Sequence, residues 1–201
     1  MDKTMNDYVF DFAFSEALDD AIRRTDAAGL NDSQFIESAK EAVRKYINTI
    51  IESKKGTDLS DLFDKTVISI NLSKKPKTIF SFGNIQKLIN MTAKYMFISG
   101  YENKTLRKKF EICHCPMDSK MRNYVWKEYK LKFPNDKNLL KVPEGGREYI
   151  AWSKLRFDDT DDARSNEYYR NFQDMVKILA KEEGISPLEY DFKHWKEANA
   201  N

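Results

Sequence analysis

Apolar positions along this chain repeat with the 3.6-residue period of an α-helix in three long segments, 33–54, 84–99 and 163–183. In the first, Phe35, Ile36, Ala39, Val43, Tyr46, Ile47 and Ile50 share one face, started by Asn31-Asp32-Ser33 and stopped by Gly56. The second begins after Gly83 and places Ile85, Leu88, Ile89, Thr92, Tyr95 and Met96 on one broad face, with Gly100 as its stop. Lys87, Asn90 and Lys94 line its opposite edge, with Lys87 in the first turn. In the third, Tyr168 or Tyr169, Phe172, Met175, Val176 and Leu179 face inward as far as Gly184. The acidic run 158–162 suits the positive end of that helix better than a calcium loop, for it lacks the loop glycine and alternate spacing of an EF-hand.

Shorter elements fill the gaps. Ser15 is positioned to cap a helix carrying Phe14, Leu18, Ala21 and Ile22, while Tyr8, Phe10, Phe12 and Phe14 alternate as in a short strand or extended lead-in. Thr57-Asp58 caps a helix with Leu59, Leu62, Phe63 and Val67, and the β-branched run 67–72 fits either helix or strand. Pro116 suits the first position of a further helix, with Asp118 in its first turn and Met117, Met121, Tyr124 and Val125 on its packed face. A long loop follows over 131–150, then a short apolar segment, 151–157, able to dock on the core; Ser186-Pro187 opens a last helix. The pattern predicts an all-α, compact multi-helix single domain spanning 1–201, of about seven or eight helices, with strand at most at the N-terminus or around 67–72. Phe35, Val43, Ile47, Leu88, Ile89, Tyr95, Met96, Met121, Val125, Phe172, Met175 and Leu179 are expected inside.

Composition narrows the classes. A chain of 201 residues with 41% hydrophobic and 13% aromatic residues can bury a core and is not disordered. No apolar run approaches a membrane span, and the acidic start is no secretory signal, so no membrane partner and a cytoplasmic location are expected. Cys113 and Cys115, the only cysteines, give no disulfide framework, and with His114 between them they are too crowded to hold one tetrahedral zinc. Neither a metal nor a cofactor is expected. The phosphate-binding and nucleophile-elbow glycine motifs are absent from the sequence.

Formal charge is only +2, yet residues 74–132 are basic while the rest is acidic. That asymmetry points to a polyanion, with Lys74, Lys75 and Lys77 in a loop before the central helix and Lys120 and Arg122 beyond it. Lys104, Arg107, Lys108 and Lys109 add to it. The most suggestive chemistry lies at 82–126, where an amine, Lys87, and a carboxylate, Asp118, stand near the starts of two helices.

This central stretch resembles the helix-hairpin-helix DNA glycosylases. The resemblance rests on Phe82-Gly83-Asn84-Ile85-Gln86-Lys87, then an apolar helix, then Pro116-Met117-Asp118-Ser119-Lys120-Met121. In the lyase-type members a lysine follows the hairpin's first glycine by four residues, as Lys87 follows Gly83, and an aspartate sits in a Pro-x-Asp element, as Asp118 does. The long lysine-to-aspartate separation is closer to the archaeal oxoguanine branch. Ile85 stands where the family's second glycine would be, and Ser81-Phe82 replaces its Leu-Pro. The resemblance implies a DNA partner, a Lys87 nucleophile forming a Schiff base, and Asp118 stabilising the cationic sugar. Gly83, Asn90 and Lys94 would lie along the bound nucleotide, with Phe82, Trp126 or Trp152 stacking on its base. Two other readings stay open: a helical nucleic-acid-binding protein without catalysis, and a protein-interaction or regulatory module of the kind mobile elements or defence loci carry, with a protein partner and Lys87–Asp118 as a plain salt bridge.

Overall fold

The computed structural model describes residues 5–23, 25–54, 57–100, 102–136, 151–155 and 162–200, with side chains omitted at 5 and 162–166. Among these residues there are eight α-helices and no strand: α1 (Met5–Ile22), α2 (Ser33–Glu52), α3 (Leu62–Leu72), α4 (Phe82–Ser99), α5 (Lys104–Lys109), α6 (Ser119–Lys132), α7 (Asp162–Glu182) and α8 (Pro187–Ala200). Single 3₁₀ turns cover Phe110–Ile112 and Trp152–Lys154. The all-α single domain expected from periodicity is therefore observed. No described helix is long and apolar enough to cross a membrane.

Helix α4 is the axle. Thirteen of its 18 residues are buried, and only the stripe Lys87, Met91, Tyr95 and Ile98 and the terminal Ser99 are less so. It starts two residues earlier than expected because Ser81 caps it: the Ser81 hydroxyl accepts from Asn84 N at 3.1 Å, and Ser81 N donates to Asn84 Oδ1 at 2.9 Å. That reciprocal pair satisfies two end groups at once. Lys87 consequently sits in the second turn, not the first, and Gly83 is a helical residue rather than the corner of a hairpin.

The most extensive contact of α4 is with α1. There the alternation of aromatics proves misleading: Tyr8 and Phe12 are exposed, while Phe10, Ala13, Phe14, Ala17 and Ala21 form a helical stripe with no more than 3% exposure. The small alanines allow close approach, and the first half of the segment is helix, so Ser15 lies inside α1 and caps nothing. Arg44 of α2 bonds Asp7 and Asp11 at 3.0 and 2.8 Å and lies over the Phe10 ring, tying the two helices together.

The ambiguous run 67–72 is also helix, because Phe63, Val67 and Ile70 repeat at i, i+4 and i+7 and are buried. Helix α2 carries the buried face expected of it, and its cap is Asp32, which accepts from Phe35 N. Asp118 caps α6 from outside the helix, so Pro116 lies before the helix rather than at its first position. Gly184, with φ 68°, ends α7, and Ser186 and Glu189 exchange hydrogen bonds at the start of α8. Of the residues expected inside, Tyr95 alone is only half-buried; its hydroxyl donates to Asp20 at 2.7 Å. Most of the 131–150 loop and the acidic run before α7 lie outside the described residues.

Gly83 has a packing role. Its N–H donates to Leu155 O at 3.3 Å, and a Cβ built there would stand 1.6 Å from Trp152 O. Alanine normally gains about 1 kcal/mol over glycine inside a helix. Here Gly83→Ala is expected to destabilise by about 1–3 kcal/mol, because backbone must shift to admit the methyl group. Urea unfolding read by tryptophan fluorescence checks the sign; a more stable variant would show that the 151–155 segment does not dock as described.

Candidate functional site

The chain from Cys113 to Asp118 runs in extended form between α5 and α6 and is gripped by two glutamines. Gln86 of α4 donates through Nε2 to Met117 O at 2.8 Å and accepts from Met117 N at 3.3 Å. Gln173 of α7 donates to Cys115 O at 2.8 Å and accepts from Cys115 N at 3.0 Å. Each amide copies the pairing of a neighbouring strand, which is how a buried, non-helical backbone satisfies its polar groups. Both glutamines are fully enclosed. The grip fixes where Asp118 emerges.

Asp118 then works twice. Oδ1 accepts from Lys120 N and Met121 N at 3.0 and 2.9 Å, capping α6. Oδ2 lies 3.8 Å from Lys87 Nζ, an ion-pair distance beyond hydrogen-bond length. Lys87 is tethered on its other side by Trp152, whose ring centroid is 4.6 Å from Nζ. The chain of causes runs back to Gly83, since the same segment that needs its missing side chain carries that tryptophan.

Both residues line an open cleft of about 360 Å³ between α4, α8 and the extended strand. Its charged wall also holds Lys94 and Asp191, paired at 2.5 Å and almost wholly buried, and Asp20 at the edge. Burial raises the Asp191 carboxyl, and Lys94 opposes that shift. The lining also includes apolar and aromatic side chains, Met91, Tyr95 and Ile98 on the same stripe of α4 as Lys87, and Phe192 and Trp195 of α8. Phe192 and Trp195 are 56% and 54% exposed, on the face of α8 that looks into the cleft. The site is thus an amine beside a carboxylate in a cleft of small-molecule size that aromatic rings also line.

The structure brings together Lys87, Asp118 and Lys94 but disperses the other candidates. Asn90 is buried; its Nδ2 donates to the Tyr169 hydroxyl at 2.8 Å and does not line the cleft. Arg122 is 3% exposed and bonds Asn123 and the Tyr168 hydroxyl, because the inner face of α6 meets α7 there; it is no surface contact. Gly83 spends its N–H on Leu155 O, so that donor is taken. Lys74 donates to Phe80 O and Lys75 pairs with Asp32 at 3.2 Å. Lys75 and Lys77 line a different hollow, away from Lys87, and Lys120 is exposed. Of the three rings expected to stack, Trp152 lies against Lys87 without lining the cleft, Phe82 packs on Tyr169, and Trp126 lies under Lys130. Phe192 and Trp195 were missed because more than seventy residues separate them from Asp118; their only signal is two large aromatics off the buried stripe of a helix.

The Cys-His-Cys run has no nucleophile. Both cysteines are free and buried, burial pushes the Cys113 thiol up to about 12, and Tyr46 OH donates to its sulfur. Among the described residues no group of three or more histidine, cysteine or acidic side chains could hold a metal ion. His114 Nδ1 lies 2.9 Å from Tyr169 OH; with Asn90 donating to that oxygen, the hydroxyl proton is left for a neutral imidazole. Burial, then Lys177 and Arg170, lower His114 to about 3.

No protein-family model, curated protein or solved structure matches the chain.

Two predictions follow from this geometry. The unfolded chain protonates His114 near pH 6.5 while the folded one resists until about 3. Its stabilising contribution is therefore complete above pH 6.5 and falls by up to about 1.4 kcal/mol per pH unit below it. Denaturant titrations from pH 8 to 4 should show a shallower acid loss in His114→Phe than in wild type; parallel curves would remove His114 from the account. Gln86→Leu should cost about 2–4 kcal/mol, since it strands both buried Met117 backbone groups. A milder loss, near that of an exposed Gln→Leu change, would mean the strand is held by packing alone.

Proposed function

We propose that the protein acts on the sugar of an unstacked nucleotide in DNA, with Lys87 as an amine nucleophile and Asp118 as its carboxylate partner. One observation carries this reading: Lys87 Nζ and Asp118 Oδ2 stand 3.8 Å apart in a single open cleft that Phe192 and Trp195 also line. A plain structural salt bridge has no use for an open cleft or for two half-exposed rings lining it. The resemblance of 82–126 to lyase-type glycosylases points the same way, although Phe82–Lys87 here is continuous helix instead of a hairpin.

The chemistry assigns each group one job. A base drawn from the stack would lie against Phe192 and Trp195, which have the exposed faces stacking requires. The Lys87 amine lone pair forms a bond to C1′ as the glycosidic bond breaks and its electron pair leaves with the base, which takes up a proton. Asp118 faces the positive charge that spreads over the sugar and accepts the proton lost from the lysine nitrogen. Ring opening gives a protonated imine; loss of a C2′ proton then expels the 3′ phosphate and cleaves the strand. Lys94 is already answered by Asp191 and is left as a wall of the cleft.

An imine to a sugar is reduced by borohydride to a stable crosslink. Wild-type protein is expected to crosslink to an abasic-site or modified-base duplex, and Lys87→Ala to lose that crosslink. Lys120→Ala, lacking an exposed lysine instead, should retain it. Asp118→Asn keeps an oxygen to cap α6 and should slow trapping by roughly 100-fold or more while leaving DNA binding in place. Equal trapping in wild type and Lys87→Ala would return Lys87 and Asp118 to the role of a salt bridge in an interaction module.

A further inference from the structure

The cleft is nearly charge-balanced, since Lys87 and Lys94 face Asp118, Asp191 and Asp20. A nucleic-acid backbone gains little there, and the favourable electrostatics have to come from another surface. The lysine loop at 74–77 does not supply it, because Lys74 and Lys75 are engaged within the fold.

A second groove, of about 550 Å³, lies between the C-terminal end of α2, the start of the α2–α3 connection and α5. Lys54, Lys104, Lys108 and Lys109 line it together with the hydroxyl-bearing Thr57 and Thr105, and no carboxylate does. Leu59 and Ile112 form its apolar part. Lys104 and Lys108 are one helical turn apart on the same face of α5, both exposed. Among the described residues no acidic partner is found for Lys54, Lys104 or Lys108, in contrast to Lys40, Lys75, Lys132 and Lys193, each within 3.2 Å of a carboxylate. Lys109 is partly occupied: its Nζ donates to the carbonyls of Ile51 and Ser53 at the end of α2, where a cation is favoured and an anion is not. That contact screens the negative helix end from the groove. On another side of α5, Arg107 reaches Glu189 of α8 at 3.8 Å, so this short helix is braced against the helix that carries Phe192 and Trp195.

We infer that the groove between α2 and α5 binds the phosphodiester backbone of nucleic acid, with Lys54, Lys104 and Lys108 contacting phosphates and Thr57 and Thr105 donating to their oxygens. This assignment rests on the DNA reading above and deepens it: the groove supplies affinity without sequence preference, and the cleft supplies the chemistry. Its concave shape and the aliphatic stems of its lysines suit a chain of phosphates rather than a flat acidic protein surface.

The test measures binding of a fluorescent DNA oligonucleotide, single-stranded and duplex, over a range of salt, with inorganic tripolyphosphate as a second probe. Each phosphate contact to duplex should contribute about 0.9 to the magnitude of the log–log salt slope, which is about eightfold in affinity between 0.1 and 1 M salt. Lys104→Ala/Lys108→Ala is expected to lower the slope by about 2 and weaken binding accordingly. Lys104→Arg/Lys108→Arg should restore both, and Lys181→Ala/Lys196→Ala, the same charge change at exposed sites on α7 and α8, should leave both unchanged. Circular dichroism of each variant confirms the fold. An unaltered slope in the α5 double variant would overturn the assignment, and so would tight tripolyphosphate binding with no oligonucleotide binding. Neither outcome depends on a crosslink: loss of trapping with an intact slope change sinks the Lys87 chemistry alone, and the reverse sinks the groove alone.

Discussion

A helix buried on most of its sides cannot leave the polar side chains of those sides to water, so each of them must find a partner in a neighbour. Helix α4 obeys this along its length. Asn84 donates to Ala21 O of α1, Gln86 holds the Met117 backbone, Asn90 meets Tyr169 of α7, and Lys94 meets Asp191 of α8. The α1 contact alone would be satisfied by many rotations of a smooth apolar rod. The polar partners select one, because a rotation that frees a single buried Asn or Gln forfeits its hydrogen bonds. The arrangement of α1, α7, α8 and the 113–118 strand around α4 is therefore specified by polar side chains inside an apolar core.

The candidate site is a by-product of that requirement. Gln86 and Lys87 are adjacent, so the residue that grips the strand and the residue that meets Asp118 are set by the same stretch of backbone. Gln86 points inward to Met117; Lys87, 100° further round, reaches the end of the strand where it turns into α6. The Gly83 approach brings the Trp152 ring against Lys87. A displacement of α4 by even one residue would separate all three contacts together, which couples the geometry of the site to the stability of the core.

Much of this was legible in the sequence, and the failures have physical causes. The helices α2, α4 and α7 announce themselves because one apolar stripe is enough to define a period, and Gly184 and Ser186 mark their turn by backbone chemistry that does not depend on tertiary context. Lys87 and Asp118 were recognisable as a pair; their distance was not. The burial of the polar edge of α4 was not legible, because periodicity cannot distinguish an amphipathic helix from one whose polar edge is buried and paired. Asn90 and Lys94 of α4 are inside, as is Arg122 of α6. In α1, four aromatics at alternate positions suggested a strand, while the alanines that make the real interface are too small to register as a stripe. Phe192 and Trp195 were invisible as part of the site because the contact that brings α8 to α4, the Lys94–Asp191 pair, joins residues nearly a hundred positions apart.

Charge placement gives the architecture its functional logic. A reaction that builds positive charge on a sugar is helped by a carboxylate in a partly enclosed cleft and hindered by a surplus of lysines beside it. Affinity for a polyanion demands the opposite, several unpaired cations in water. One surface cannot satisfy both conditions. Among the described residues Lys94 is matched by Asp191 inside the cleft, while no carboxylate partner is found for Lys54, Lys104 or Lys108 outside it. That division of charge is the one the proposed function calls for, with nucleic acid held by one surface and acted on by another.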